Sequence, residues 1–176
     1  MVKDGKGYIA GDMCVSDSQF QKNALNPKVF KKHGVLIGAA GSWRVINALY
    51  HALNVSKIID KSESITEFAW NFSNAVMNLA DEHGFLCRDG SEGSEVFMPD
   101  SEILVIFANK IIRVHTDFSY VILDDNYCAI GMPDHAEGVL SNSINKPEKC
   151  IKKAMAAAAK YSLGVSKEYI MLEEDQ

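Results

Sequence analysis

The sequence predicts an α+β fold in which two β-sheets are sandwiched between two helical layers, a four-layer αββα arrangement. Two observations carry this expectation. Helical patterns come in pairs between blocks of strand patterns, so the β-α-β-α alternation of a parallel sheet is absent. One stretch, Gly34 to Ala40, is apolar on both faces and reads as a strand buried between two layers. The chain of 176 residues shows no internal repeat, low-complexity tract or linker, so residues 1–176 are expected to form one domain.

Taken in order, Asp4-Gly5 is a strong hairpin-turn signal, followed by a short apolar strand over Gly7–Asp12. Only Met1, Val2 and Lys3 stand before that turn, enough for a stub of a partner strand. Asp17 to Asn26 is polar and reads as a loop. Lys28–Phe30 and Gly34–Ala40 read as strands joined at His33-Gly34. Ser42–Asn54 has Ile46, Leu49, Tyr50 and Leu53 at helical spacing. A second helix is expected from Ile65 to about His83, with Ser64 and Glu67 as a capping box and Phe68, Phe72, Val76 and Leu79 as its buried stripe. Gly84 is a plausible stop.

Residues 88–100 are rich in Asp, Gly, Ser and Glu and read as an exposed loop. A meander of four strands follows, over 102–109, 111–115, 119–123 and 127–130, with turns at Asn109-Lys110 and Asp124-Asp125-Asn126. Two helices come next, a short one near Ala136–Ser143 and one from Pro147 to Ser162. Pro147 suits a first helical turn, and Ile151, Ala154, Met155 and Ala158 line the inner face. Glu168–Leu172 is the last strand.

The composition, 47% hydrophobic and 23% charged, is that of an ordinary globular domain. A net charge of −5 argues against a broad nucleic-acid surface. Apolar runs fall far short of the roughly 20 residues that cross a bilayer, and the first residues lack the apolar core of a signal peptide. No nucleic-acid or membrane partner is expected, and a cytoplasmic location is. Cys14, Cys87, Cys128 and Cys150 are scattered, as reduced, buried cysteines are. The histidines form no metal-ligand spacing, so neither a metal nor a cofactor is expected. Trp43 and Trp70 fall on helices, as core or subunit-contact anchors.

Four segments, in this order and spacing, carry a resemblance: Gly-Tyr-Ile-Ala-Gly-Asp ending at Asp12, Asn-Pro-Lys-Val-Phe-Lys-Lys containing Lys28, Ile-Gly-Ala-Ala-Gly-Ser at 37–42, and Tyr-Cys-Ala-Ile-Gly-Met at 127–132. Through them the chain resembles the proteasome β-subunit family, most of all its bacterial HslV-type branch, over nearly its whole length. That family is built on the N-terminal-nucleophile (Ntn) hydrolase fold. Its nucleophile is a threonine at the start of the mature chain, with its own α-amine as base. The resemblance makes Lys28 the catalytic lysine, Asp12 its paired aspartate and Gly41 a residue of the oxyanion turn. It also implies a homo-oligomeric ring, an ATP-driven unfoldase partner and polypeptide substrates.

The departures are specific. The family's nucleophile aligns about five residues upstream of Met1, so most of the first strand is expected to be missing, and neither Met1 nor Val2 can replace a threonine. Met132 stands where the family has a serine. Tyr161 or Ser162 stands where it has an aspartate. Both a threonine-type peptidase subunit and a catalytically inactive proteasome-fold binding or structural protein are therefore carried forward. Each site residue also has a plainer reading: Lys28 as a solvated lysine beside Lys31 and Lys32, Asp12 as a turn residue, the Gly38–Gly41 stretch as close packing. Ser16, Ser18 and Cys14 lie near Asp12 as alternative nucleophiles.

Overall fold

The computed structural model describes residues 1–16, 21–88, 96–132, 134–142 and 146–174. The strands are β1 (Val2–Lys3), β2 (Lys6–Asp12), β3 (Cys14–Ser16), β4 (Gln21–Asn23), β5 (Val29–Lys32), β6 (Val35–Gly41), β7 (Cys87–Arg88), β8 (Val96–Phe97), β9 (Ser101–Phe107), β10 (Lys110–Val114), β11 (Tyr120–Leu123) and β12 (Tyr169–Glu173). The helices are α1 (Trp43–Ala52), α2 (Val55–Asp60), α3 (Ile65–Glu82), α4 (Asp134–Ser141) and α5 (Pro147–Tyr161). An antiparallel five-stranded sheet runs β11-β10-β9-β6-β5, and a smaller one runs β1-β2-β12.

Side-chain alternation along β6 places these layers. Val35, Ile37 and Ala39 point into one core with Val45, Ile46 and Leu49 of α1, Ile58 of α2, and Phe68, Phe72 and Val76 of α3. Leu36 points the other way, into a core shared with Ile9 of β2, Val29, Leu104, Ile106 and Ile111. The two sheets therefore stack on each other, and Gly38 lets them close: a Cβ there would lie 2.9 Å from Ile9 Cδ1. A third cluster joins Ala136 and Leu140 of α4 to Cys150, Ala154 and Ala158 of α5. The alanines of α5 allow a close approach to the small sheet.

Three hairpins turn through two residues with positive φ, the type I′ geometry that matches strand twist. They are Asp4-Gly5 (52° and 73°), His33-Gly34 (49° and 80°) and Ala108-Asn109 (49° and 59°). The third lies one residue earlier than the expected Asn109-Lys110.

The structure corrects several expectations. Gln21–Asn23, read as loop, pairs with β3, while residues 17–20 of that loop lie outside the described residues. In the 88–100 loop, β7 and β8 pair at either end of residues 89–95, which also lie outside them. The six-residue α2 went unforeseen because it is shorter than two full turns, too short for a periodic signal; Asn54 caps it by accepting from Lys57 N at 3.1 Å. At α3, Ser64 Oγ accepts from Glu67 N at 3.2 Å, but Glu67 reaches Glu63 N at 2.7 Å, one residue before the expected partner. Tyr50 is 40% exposed, so the buried face of α1 is narrower than its spacing suggested. Of the two tryptophans expected as core or subunit-contact anchors, Trp43 packs against the helical core and Trp70 is 60% exposed.

The largest correction is at 127–130, which is not a strand. In place of a sheet ladder, two carboxylates take the amides of Ala129 and of Gly131 just beyond it. Glu137 Oε1 accepts from Ala129 N at 3.0 Å, and Glu102 Oε2 accepts from Gly131 N at 3.3 Å. Among the described residues, no helix is long and apolar enough to cross a membrane.

Candidate active site

Asp12 ends β2, and Lys28 immediately precedes β5. Stacking of the sheets brings them together, because Gly11 has no side chain: a Cβ there would stand 2.8 Å from Val29 Cγ1 and 3.3 Å from Lys28 Cβ. Lys28 Nζ donates to both carboxylate oxygens of Asp12, each at 3.1 Å. The two side chains are only 17% and 14% exposed. The Trp43 ring lies 5.8 Å from Nζ and covers the ammonium from the α1 side.

Asp12 is over-determined. Its Oδ1 also accepts from Cys14 N at 2.6 Å and from Ser166 N at 3.5 Å. Ser166 is buried; its hydroxyl donates to Glu168 O at 2.7 Å and accepts from Met13 N at 3.2 Å. The carboxylate is thus aimed by its own strand end and by the segment that leads into β12. The bond to Cys14 N is the one a turn aspartate makes, and those from Lys28 and Ser166 N are added to it.

Gly41, at the end of β6, has φ 106°, and a Cβ there would sit 1.8 Å from Asp100 O. The position admits no side chain. Ser101, opposite Gly41 in the β6–β9 ladder, braces the exit into α1. Its hydroxyl accepts from Ser42 N at 3.0 Å and donates to Pro99 O at 2.5 Å.

Asp12, Lys28, Gly41, Glu102, Gly131 and Met132 are among the residues lining one cavity of about 800 Å³. Gly131 has φ 83°, and a Cβ there would lie 2.9 Å from Ala40 Cβ, so the 128–132 turn seats directly on the end of β6. Met132 is 55% exposed and Tyr161 61% exposed. The Met1 nitrogen donates to Tyr8 O at 2.7 Å, near the start of β2 and away from its Asp12 end. Burial, reinforced by Glu137, pushes the Cys128 thiol up to about 11, which makes it a poor nucleophile.

The three residues expected from the sequence therefore line one cavity, with Lys28 and Asp12 in contact. Of the alternative nucleophiles, Cys14 is buried, Ser16 is exposed at the cavity edge, and Ser18 lies outside the described residues. Ser101, Ser166 and Glu102 were missed. No local spacing marks them, since each reaches the site across the fold. Chemically, the arrangement offers a fixed cation beside a carboxylate, next to a glycine turn, at the wall of a cavity. It can hold a proton and stabilise developing negative charge.

No family model matches the sequence, and no curated protein does. Solved structures do match the fold. HslV from Trypanosoma brucei aligns over 98% of this chain and 96% of its own, with a TM-score of 0.66 and 19% identity. The BPH protein of Thiobacillus denitrificans aligns over 99% and 95%, with a TM-score of 0.69 and 18% identity. Anbu, the ancestral beta-subunit, from Yersinia bercovieri aligns over 98% and 79%, with a TM-score of 0.71 and 12% identity. The stacked sheets, their flanking helices and these alignments agree: the chain has the proteasome-like, HslV-type fold of the N-terminal-nucleophile hydrolases.

Proposed function

We propose that this chain is a subunit of the proteasome-like, HslV-type threonine peptidase family, working in proteolysis within a homo-oligomeric ring. The observation that carries this reading is the Lys28–Asp12 pair, held at 3.1 Å in the wall of the cavity beside the Gly41 turn. A solvated strand lysine has no reason to be drawn in against a carboxylate that two further backbone donors already aim. In this reading a threonine ahead of Met1, paired along β2 toward Asp12, supplies the hydroxyl and the α-amine. Lys28 stabilises the charge that develops there, and Gly41 belongs to the oxyanion turn. The substrate is a polypeptide, delivered by an ATP-driven unfoldase, in the cytoplasm.

N-terminal sequencing with intact mass of the protein from its natural source tests this. A mature chain beginning with threonine a few residues before Met1 supports the peptidase. A chain beginning at Met1 or Val2 overturns it in favour of a second reading, a catalytically inactive proteasome-fold binding or structural protein. One observation favours that second reading: Met132, without a hydroxyl, occupies the turn against Ala40 where the resemblance expects a serine.

A further inference from the structure

Segment 128–132 forms one wall of the candidate site but belongs to neither sheet. Two carboxylates from different layers hold it. Glu137, on α4, takes the amide of Ala129, and Glu102, on β9, takes the amide of Gly131. Glu102 stands opposite Ala40 in the β6–β9 ladder, and Gly131 is the residue that packs on Ala40. One side chain thus ties the strand carrying Gly41 to the turn that faces it.

Glu102 is itself fixed. Arg113 donates to its Oε1 from Nε at 3.0 Å and also from a terminal guanidinium nitrogen, and His115 Nδ1 lies 4.0 Å from the same oxygen. Oε2 is left for Gly131. Burial pushes the Glu102 carboxyl up, but the hydrogen bonds from Arg113 and Gly131 and the nearby charges of Arg113 and His115 outweigh it and hold the group below its usual range. The acceptor at Gly131 is therefore a carboxylate, the stronger kind.

We propose that Glu102 is a positioning residue for the candidate site. Through the amide of Gly131 it sets the seat of the 129–132 turn against the Ala40–Gly41 end of β6. The catalytic consequence rests on the peptidase reading, whereas the hold on Gly131 does not. Two measurements on the natural protein test them separately.

The first is residue-resolved amide hydrogen exchange on wild type and Glu102→Ala. The Gly131 amide is expected to exchange about tenfold faster or more in the variant. The Ala129 amide, held by Glu137, and the β9–β10 ladder amides stay as they were, which shows the fold is intact. An unchanged Gly131 rate in a folded variant overturns the proposal. Should Glu102→Ala not fold, Glu137→Ala is measured instead. The proposal then requires that Glu137→Ala release Ala129 while Gly131 stays protected, and common release of both overturns it.

The second is peptide hydrolysis by Glu102→Ala, Gly131→Ala and the double variant. Each single change is expected to lower kcat about tenfold with KM nearly unchanged, and the double variant to be no worse than the weaker single one. Independent, multiplying losses overturn the positioning role. A wild type that hydrolyses nothing overturns the peptidase reading and leaves the exchange result to decide the hold.

Discussion

Replacing Gly41 by alanine tests the tightest constraint at the candidate site. Two costs combine there. An alanine at φ 106° is strained by about 1–2 kcal/mol. The new Cβ would also stand 1.8 Å from Asp100 O, a backbone atom that no rotamer change can move away. Relieving that overlap means displacing the start of β9, at a cost typical of overpacking, about 1–3 kcal/mol. Gly34→Ala is the control, because Gly34 has φ 80° but nothing within 4 Å of the new Cβ. It carries the first cost and not the second. With a urea m-value of about 2 kcal/mol/M, Gly34→Ala should lower the unfolding midpoint by about 0.5–1 M and Gly41→Ala by about 1–2.5 M. Urea titrations followed by circular dichroism read both. Equal shifts would refute the claim that the end of β6 is closed against β9 by backbone contact.

Further outcomes follow from the same geometry. Asp12→Ala should destabilise more than Lys28→Ala, by about 1–2 kcal/mol in urea unfolding, because it orphans the amide of Cys14 as well as Lys28. Equal losses would mean that only the ion pair matters. Because the Glu102 carboxyl is held below its unfolded value, its contribution is complete above the ordinary glutamate range, near pH 4.3, and is lost as pH falls through the folded value. Acid titration of Glu102→Gln should therefore show a shallower loss of stability below that range than wild type. Alkylation followed by mass spectrometry should label half-buried Cys87 well before Cys14, Cys128 and Cys150, which are buried. Early labelling of Cys128 would contradict its raised thiol pKa.

Much of this fold was legible because its signals are local. Phe68, Phe72, Val76 and Leu79 mark α3 by spacing alone, and all four are buried. Asp4-Gly5 and His33-Gly34 announce their turns by residue type. Other features were missed because the deciding contact was a tertiary one with no local signal. Residues 127–130 have strand composition, but the amide of Ala129, and that of Gly131 just beyond, go to Glu137 and Glu102 instead of a sheet ladder. Lys28 and Asp12 could be named through the resemblance, yet their contact depends on two sheets closing over Gly11 and Gly38. Ser101 and Ser166 had no signal at all, since a serine next to a strand looks the same whether it braces a site or faces water.

The proposed function makes the Lys28–Asp12 pair the charged half of a peptidase site. The most direct test is peptide hydrolysis by the protein purified from its natural source, compared with its Lys28→Ala variant. The expected result is a loss on the order of 10²-fold or more in kcat, in a variant that remains folded by circular dichroism. Hydrolysis that survives the substitution undiminished would contradict it.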